Sequence, residues 1–413
     1  MKALIAGGGI GGLTTALMLH RAGIHVEIFE RAPQLRELGV GINLLPHAVK
    51  ELAELGLMDV LDRRGIRTRE LILCNRFGQT VWSELRGLDA GYEVPQISIH
   101  RGTLHGILHK AVVDRLGEDV IHANHKVAGF TQHAGGISLR FDDGAPHSAA
   151  RGDLLIGADG IHSAIRAQLY PNEGPPIWSG IMLWRGVIDW PTWQDGRTMA
   201  IAGGNFAKFV YYPIASDPAK PESRLTNWAI MARTGEHGAT PARAEDWNRY
   251  GRLAEALPFV RDRFRLDFVD PAKLVAATGA FYEYPNCDRD PLPRWSFDRV
   301  TLLGDAAHAM YPVGSNGASQ AILDARALAN HLSTAASIPR ALVAYDEDRR
   351  PSTSAITLAN RAGGPEGVID VVEARAPDGF EDIDSVASYE EREAIVRGYA
   401  NLAGFAKAQV NKS

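Results

Sequence analysis

The chain opens on a short apolar run, Lys2 to Ala6, and then reads Gly7-Gly8-Gly9-Ile10-Gly11-Gly12. No other stretch restricts the fold so tightly. Leu13 to Ala22 has helical spacing, with Leu13, Ala16, Leu17 and Leu19 on one side, and Val26 to Phe29 is a second strand ending at Glu30. Gly7, Gly9 and Gly12 occupy the glycine positions of the dinucleotide fingerprint. The first makes the tight turn, the second lets backbone approach a pyrophosphate, and the third lets helix pack closely on strand. The free N–H groups of the first helical turn and the positive end of the helix dipole then face the phosphates. Glu30 is placed to accept hydrogen bonds from a ribose diol. NAD, NADP and FAD all fit this turn. A secretory signal does not, because its apolar region is not broken by a glycine turn and followed by a second strand.

With 413 residues, the chain is expected to bury a large core in interleaved domains. Its 45% apolar and 23% charged content is that of an ordinary globular protein, so disorder is not expected. A net charge of −5 gives no reason to expect a nucleic-acid partner, and no apolar run is long enough for a membrane span. Cys74 and Cys287, far apart and outside any metal-ligand spacing, read as reduced thiols of a cytoplasmic protein. His100, His105 and His109 have helical spacing without a matching acid motif, which reads as a helix face and not as a metal site. The absence of a G-x-S-x-G elbow removes the simplest hydrolase reading.

Two further strand-to-turn motifs follow. Asp153-Leu154-Leu155-Ile156-Gly157-Ala158-Asp159-Gly160 leads to Ser163 and Arg166, and Gly304-Asp305-Ala306-Ala307-His308 leads through Pro312 and Gly317 into a long helix. Between them, Trp178 to Gly279 changes to alternating, aromatic, strand-like segments, read as a separate sheet inserted into the nucleotide domain. The expected division is a discontinuous nucleotide-binding part (1–72, 97–176 and 280–338), an inserted sheet (73–96 and 177–279) and a helical C-terminal region (339–413). A Gly/Pro-rich, acidic break is expected between Gly363 and Asp384. A plain NAD dehydrogenase has no need of the two later turns. A ligand that reaches far past its pyrophosphate does.

The set GGGIGG…E, GADG…R and GDAAH…P…G…G resembles the single-component FAD-dependent aromatic hydroxylases, the class A flavoprotein monooxygenases, over nearly the whole chain. The resemblance implies an α/β architecture: a Rossmann-like FAD-binding domain in three layers, with a parallel sheet and a β-meander, an interleaved mixed β-sheet substrate domain, and C-terminal helices. It implies that Gly7, Gly9, Gly11 and Gly12 bind the FAD pyrophosphate and Glu30 the adenosine ribose. Arg101 would reach the phosphate or ribityl region, and Asp159 would sit near the FAD and the nicotinamide route. Asp305 would bind the ribityl hydroxyls. Arg31, Gly41, Gly160, Pro312, Gly314, Gly317 and Ala318 would also line the cofactor. For Arg101 the alternative is a surface ion pair, for Asp305 an acid closing an Asx-turn, and His308 packs beneath its loop or acts directly. A helix beginning at Gly317-Ala318 would point free N–H groups at the flavin edge where charge collects on reduction.

The implied reaction uses NADH or NADPH, O2 and a flavin hydroperoxide to hydroxylate an aromatic or nitrogen-heteroaromatic ring bearing a carboxylate or phenol. The cofactor carries the chemistry, so no certain catalytic residue is expected; Tyr211, Arg185 and Pro312 are candidates. Trp184, Arg185, Tyr211 and Tyr212 are the candidate substrate contacts, with Tyr211 and Tyr212 on opposite faces of a strand. Arg185 binds a substrate carboxylate or ties the sheet to an acid of the FAD domain. A monomer or homodimer is expected. The segments GVGIN, VWSELRGLDAG, PQISIHRG, LWRGV, WNRYGRL, NCDRDPLPRW and AMYPVGSNGASQAILDA are similar to the phenazine-carboxylate monooxygenases within that family, which implies a heteroaromatic acid, hydroxylated with NADH and loss of carboxylate. The stretch GGPEGVIDVVEARAPDGFEDIDSV departs from that pattern. The competing readings are another FAD oxidoreductase, such as a reductase or halogenase, and an NAD-binding dehydrogenase or non-catalytic nucleotide-binding protein.

Overall fold

The computed structural model describes residues 1–33, 39–142, 149–204, 206–241, 243, 246 and 249–412. Trp247 and Asn248 of the WNRYGRL segment lie outside the described residues.

A five-stranded parallel sheet runs in the order Val300–Leu302, Leu154–Gly157, Lys2–Ala6, His25–Phe29, Ile121–His122. Its strands are continuously apolar because both faces are covered: Ala3, Leu4, Ile5 and Ala6 are fully buried. The helices Ile10–Arg21, Arg101–Leu116 and Gly317–Thr334 pack with it into one core. That core also takes Phe130, Leu139 and Phe141 from the antiparallel meander Val127–His133, Gly136–Phe141 and Ala149–Gly152. A small antiparallel sheet, Gly41–Leu44, Gln96–His100 and Ile66–Thr68, continues from it.

The inserted sheet has seven strands, in the order Phe281–Asp288, Ile177–Pro191, Ser223–Arg233, Ala207–Ala215, Thr198–Ala202, Glu70–Cys74, Thr80–Leu85. All its pairs are antiparallel except Thr198–Ala202 with Glu70–Cys74. Phe281–Asp288 therefore pairs outside the nucleotide-binding part to which 280–338 was expected to belong, and Glu70–Cys74 straddles the expected break after residue 72. Both strands find partners remote in sequence, Leu183 opposite Tyr284 and Ala200 opposite Ile72, which no local pattern reveals.

Alternation gives this sheet two faces. Trp184, Phe209, Tyr211, Trp228 and Ile230 form one core with Leu274 and Val275 of the helix Pro271–Ala277. Leu183, Arg185, Lys208, Tyr212, Asn227 and Met231 turn to the other face, where Asn227 and Arg185 meet Gly41 of the small sheet.

The C-terminal region departs from expectation at one place. Within the expected break at 363–384 a helix forms, Gly367–Arg375, because Val368, Ile369 and Val372 are buried against Leu73, Val81 and Met199 of the inserted sheet. It is flanked by the helices Ile338–Arg361 and Tyr389–Leu402.

Candidate FAD and substrate site

The three glycine turns meet at the C-terminal ends of neighbouring strands. The Gly7 N–H donates to Phe29 O (2.8 Å), the Ala158 N–H to Ala6 O (2.8 Å), and the Leu303 N–H to Gly157 O (2.9 Å). Their glycines fall into two kinds. Gly7 has φ +105°, and a Cβ there would stand 2.3 Å from Ala158 O. One on Gly12 would stand 2.0 Å from Gly7 O, and one on Gly11 2.8 Å from the Leu303 side chain. These three are demanded by protein packed on protein. Gly9, Gly160 and Gly317 differ, since a Cβ on any of them would meet no protein atom within 4 Å. The helices starting beside Gly9 and at Gly317 have no side-chain cap and no acid in their first turn. Uncapped first-turn N–H groups and the positive end of a helix dipole suit an anionic group.

Glu30 is held at the strand end: Oε2 accepts from the Gly8 N–H (2.7 Å) and Oε1 from the Ala32 N–H (2.8 Å). Arg31 beside it is exposed. His105, read from sequence only as part of a helix face, puts Nε2 2.7 Å from Gly8 O, and burial holds its pKa below the usual value. Arg101 starts the helix Arg101–Leu116, is exposed, and has no ion-pair partner among the described residues. Gly41 is instead occupied with the inserted sheet. Its N–H donates to Asn227 Oδ1 (2.7 Å), its carbonyl accepts from Arg185 (2.7 Å), and a Cβ would stand 2.6 Å from that of Asn227. Its lack of a side chain is explained without a cofactor.

Asp159 caps the helix Ala164–Leu169 through Oδ2, which accepts from the Ala164 N–H at 2.7 Å, while its buried Oδ1 has no partner among the described residues. Burial raises its pKa. Arg166 is 1% exposed and donates to Ala306 O (3.1 Å) and Ala307 O (2.9 Å), tying the second turn to the third. Asp305 is exposed beside buried Ala306 and Ala307, and its carboxylate makes no hydrogen bond among the described residues, so it closes no Asx-turn. His308 packs beneath the loop: Nε2 lies 2.6 Å from Asp324 Oδ2, which also accepts from the Gly304 N–H (3.1 Å). Arg349 donates to the other Asp324 oxygen at 2.8 Å. Asp324 is fully buried, yet His308 and Arg349 keep its pKa low against that burial.

Pro312 is exposed, and Ala318, half-buried, lies in the first turn of the helix from Gly317. Gly314 is needed for a different neighbour than the one expected: at φ +64° it faces the Tyr399 ring, from which a Cβ would stand 2.6 Å. Its N–H donates to Glu366 Oε1 (3.2 Å), and Asn316 Nδ2 donates to the Tyr399 hydroxyl (2.9 Å). The C-terminal region thus braces the third turn.

Between that turn and the inserted sheet lies a cavity of about 230 Å³, with Ile181, Met231, Tyr311 and Val313 as its apolar walls and Lys208 and Arg233 among its polar ones. Of the expected substrate contacts, Trp184 and Tyr211 lie on the other face of the sheet. Trp184 stacks on Phe259 at 5.2 Å, and Tyr211 meets Phe268 at 5.9 Å. Alternation sends their neighbours Arg185 and Tyr212 to the cavity side of the sheet, where Arg185 donates to Gly41 O (2.7 Å) and the Tyr284 hydroxyl (3.1 Å). The Tyr212 hydroxyl, beside Arg185, has its pKa pushed up to about 12 by burial. Lys208, Arg233 and Tyr311 were not read from sequence; once the face of Arg185 is known, strand parity from it selects Lys208 and Arg233.

The FAD binding domain family matches residues 1–247 and 286–359. Over 363 residues the chain is 43% identical to phenazine 1,6-dicarboxylic acid hydroxylase of Lysobacter antibioticus, covering 87% of this chain and 88% of the relative. It is 35% identical to aurachin C monooxygenase/isomerase of Stigmatella aurantiaca, covering 84% and 85% of the two. With 3-hydroxybenzoate 6-hydroxylase 1 of Aquipseudomonas alcaligenes it shares 30% identity over 87% of each chain. Klebsiella pneumoniae HpxO, solved with FAD and uric acid, superposes with a TM-score of 0.76 over 98% of this chain and 97% of that one, at 23% identity, a likeness of fold alone.

Proposed function

This chain belongs to the FAD binding domain family, among the FAD-dependent aromatic hydroxylases that use NAD(P)H, and from that premise we propose that it places one oxygen atom of O2 on a planar nitrogen-heteroaromatic or phenolic ring. The observation that carries the reading is the backbone contact of the three turns, joined by the Ala158–Ala6 and Leu303–Gly157 hydrogen bonds, with an open glycine near each: Gly9, Gly160 and Gly317. When bound, FAD supplies the redox chemistry, taking reducing equivalents from NAD(P)H and activating O2.

The chain's own residues bind, orient and keep dry. The turn at Gly9 and the helix behind it take the pyrophosphate, Glu30 the adenosine ribose, Arg101 a phosphate, and Asp305 the ribityl hydroxyls. The first turn of the helix from Gly317 offers N–H groups where negative charge develops on the ring system. Ile181, Met231, Tyr311 and Val313 give the aromatic substrate an apolar slot that excludes water from the reacting edge. His308, Asp324 and Arg166 do no chemistry in this reading; they fix the third turn. Cys74 and Cys287 form no disulfide, which suits a cytoplasmic enzyme.

The test is direct. Purified protein is expected to be yellow or to become so with FAD, and to oxidise NADH or NADPH faster when an aromatic or heteroaromatic acid is added. Protein that stays colourless after FAD addition contradicts the reading.

A further inference from the structure

Among the described residues, two of the cationic side chains that line the cavity are paired with carboxylates and Arg233 is not. Lys208 and Glu366, 5% and 6% exposed, are ion-paired with each other. Arg361 is paired with Asp288 at 2.6 Å and Asp290 at 2.7 Å. Arg233 reaches only the Ser179 carbonyl, through one guanidinium nitrogen at 3.2 Å, and has no carboxylate partner among the described residues. Arg185, the sequence candidate for a substrate carboxylate, is committed to Gly41 O and the Tyr284 hydroxyl.

The surroundings of Arg233 are shaped to hold it there. The pairing of Ile177–Pro191 with Phe281–Asp288 slips register between Trp178 and Met182, and Gly180 within that irregularity has φ +81°. A Cβ on Gly180 would stand 2.2 Å from Gly235 O, so the Gly235 backbone demands the glycine, and the Arg233 guanidinium lies beside it, 3.1 Å from the same position. Such irregularities re-aim side chains beside active sites. Arg233 shares its sheet face with Met231, which is opposite Lys208, so the two cations stand diagonally about 7–8 Å apart at the backbone. Ile181 is the direct strand partner of Arg233, and Ile181, Met231 and Tyr311 line the same cavity. A flat ring in the cavity therefore meets an exposed arginine with no carboxylate partner among the described residues, a planar fork suited to a carboxylate.

We infer that Arg233 is the residue that selects a carboxylate-bearing ring substrate, with Lys208 as the second, already neutralised cation of the same wall. This rests on the hydroxylase reading for the identity of the ligand, and its test separates the two. FAD-loaded wild type, Arg233→Gln and Arg233→Lys are compared on phenazine-1-carboxylate and the neutral phenazine-1-carboxamide, by kcat/KM and, without turnover, by perturbation of the bound flavin's visible spectrum. Arg233→Gln is expected to weaken the acid by about ten- to a hundredfold, mostly in KM and in the spectral Kd, while the carboxamide changes little. Arg233→Lys should recover part of the loss. An acid-to-amide ratio unchanged by Arg233→Gln overturns the assignment, as does an equal loss on both probes. An acid that binds through Arg233 without being hydroxylated upholds the assignment and contradicts the hydroxylase reading for that ring. Conversely, hydroxylation of both probes with a ratio indifferent to Arg233 upholds the reading and overturns the assignment.

Discussion

Within the first turn, neighbouring glycines answer to different masters. A Cβ on Gly12 collides with Gly7 O at 2.0 Å, whereas one on Gly9 meets nothing within 4 Å. Gly12→Ala is therefore expected to destabilise the protein by about 1–3 kcal/mol, seen as a lower urea midpoint. Gly9→Ala, at the N-cap of the helix Ile10–Arg21, should cost the FAD-free protein no more than about 1 kcal/mol yet weaken FAD about tenfold or more, since its β-carbon enters the ligand's space. If both variants lose stability alike, the second glycine is structural. Asp305→Ala removes an acceptor that serves no protein group among the described residues, so FAD should bind roughly ten- to a hundredfold more weakly by flavin fluorescence titration, with stability unaltered. Unchanged occupancy contradicts the role given to it. Sequence made these turn residues legible because a strand-to-helix turn this tight places its packing glycine and its open glycine at a fixed spacing. It left Trp184 and Arg185, or Tyr211 and Tyr212, unresolved because both faces of their strands are buried, one under the helix Pro271–Ala277 and one over the cavity.

Among the elements, the strands and helices next to the glycine turns were readable, since a buried parallel strand is a short apolar run closed by glycine. The pairing of Glu70–Cys74 and Phe281–Asp288 into the inserted sheet was not, because register between distant segments leaves no local trace. The helix Gly367–Arg375 hid behind its glycines and prolines; its stability comes from Val368, Ile369 and Val372 docking on the sheet, not from propensity. The stretch that departs from the phenazine-carboxylate pattern supplies Glu366 to the third turn, and the helix Tyr389–Leu402 that follows it supplies Tyr399. Tyr399→Phe strips a hydroxyl that lies 2.9 Å from Asn316 Nδ2 and donates to Asn360 Oδ1 at 2.6 Å. Leaving those buried amides short of a partner should cost about 1–3 kcal/mol in urea unfolding, and the loosened turn should lower FAD affinity as well. Wild-type values for both would show that the C-terminal helices merely cover the core.

At the scale of the whole molecule, stability rests in part on buried groups around the helix Gly317–Thr334 that resist protonation. His47 is 6% exposed, and burial, helped by the nearby Arg349 charge, lowers its pKa from 6.5 to about 3. Its folded value lies below the unfolded one, so the unfolded chain takes up the proton first, and stability falls as pH drops from 6.5 towards 3. The slope contributed by this group approaches about 1.4 kcal/mol per pH unit, and His47→Gln should flatten the urea-midpoint profile over that window. Asp324, held low by His308 and Arg349, adds a loss in the same direction as pH falls through its depressed pKa. An unaltered profile in His47→Gln would contradict a neutral buried imidazole. The central claim is that three turns gathered at one sheet edge serve oxygen transfer from O2 to a ring lying over the inserted sheet. Its most direct measurement is mass spectrometry of the product formed under 18O2 in ordinary water, and in a second run under ordinary O2 in H218O. The account predicts one labelled oxygen in the ring from the gas and none from the solvent; label arriving from water would contradict it.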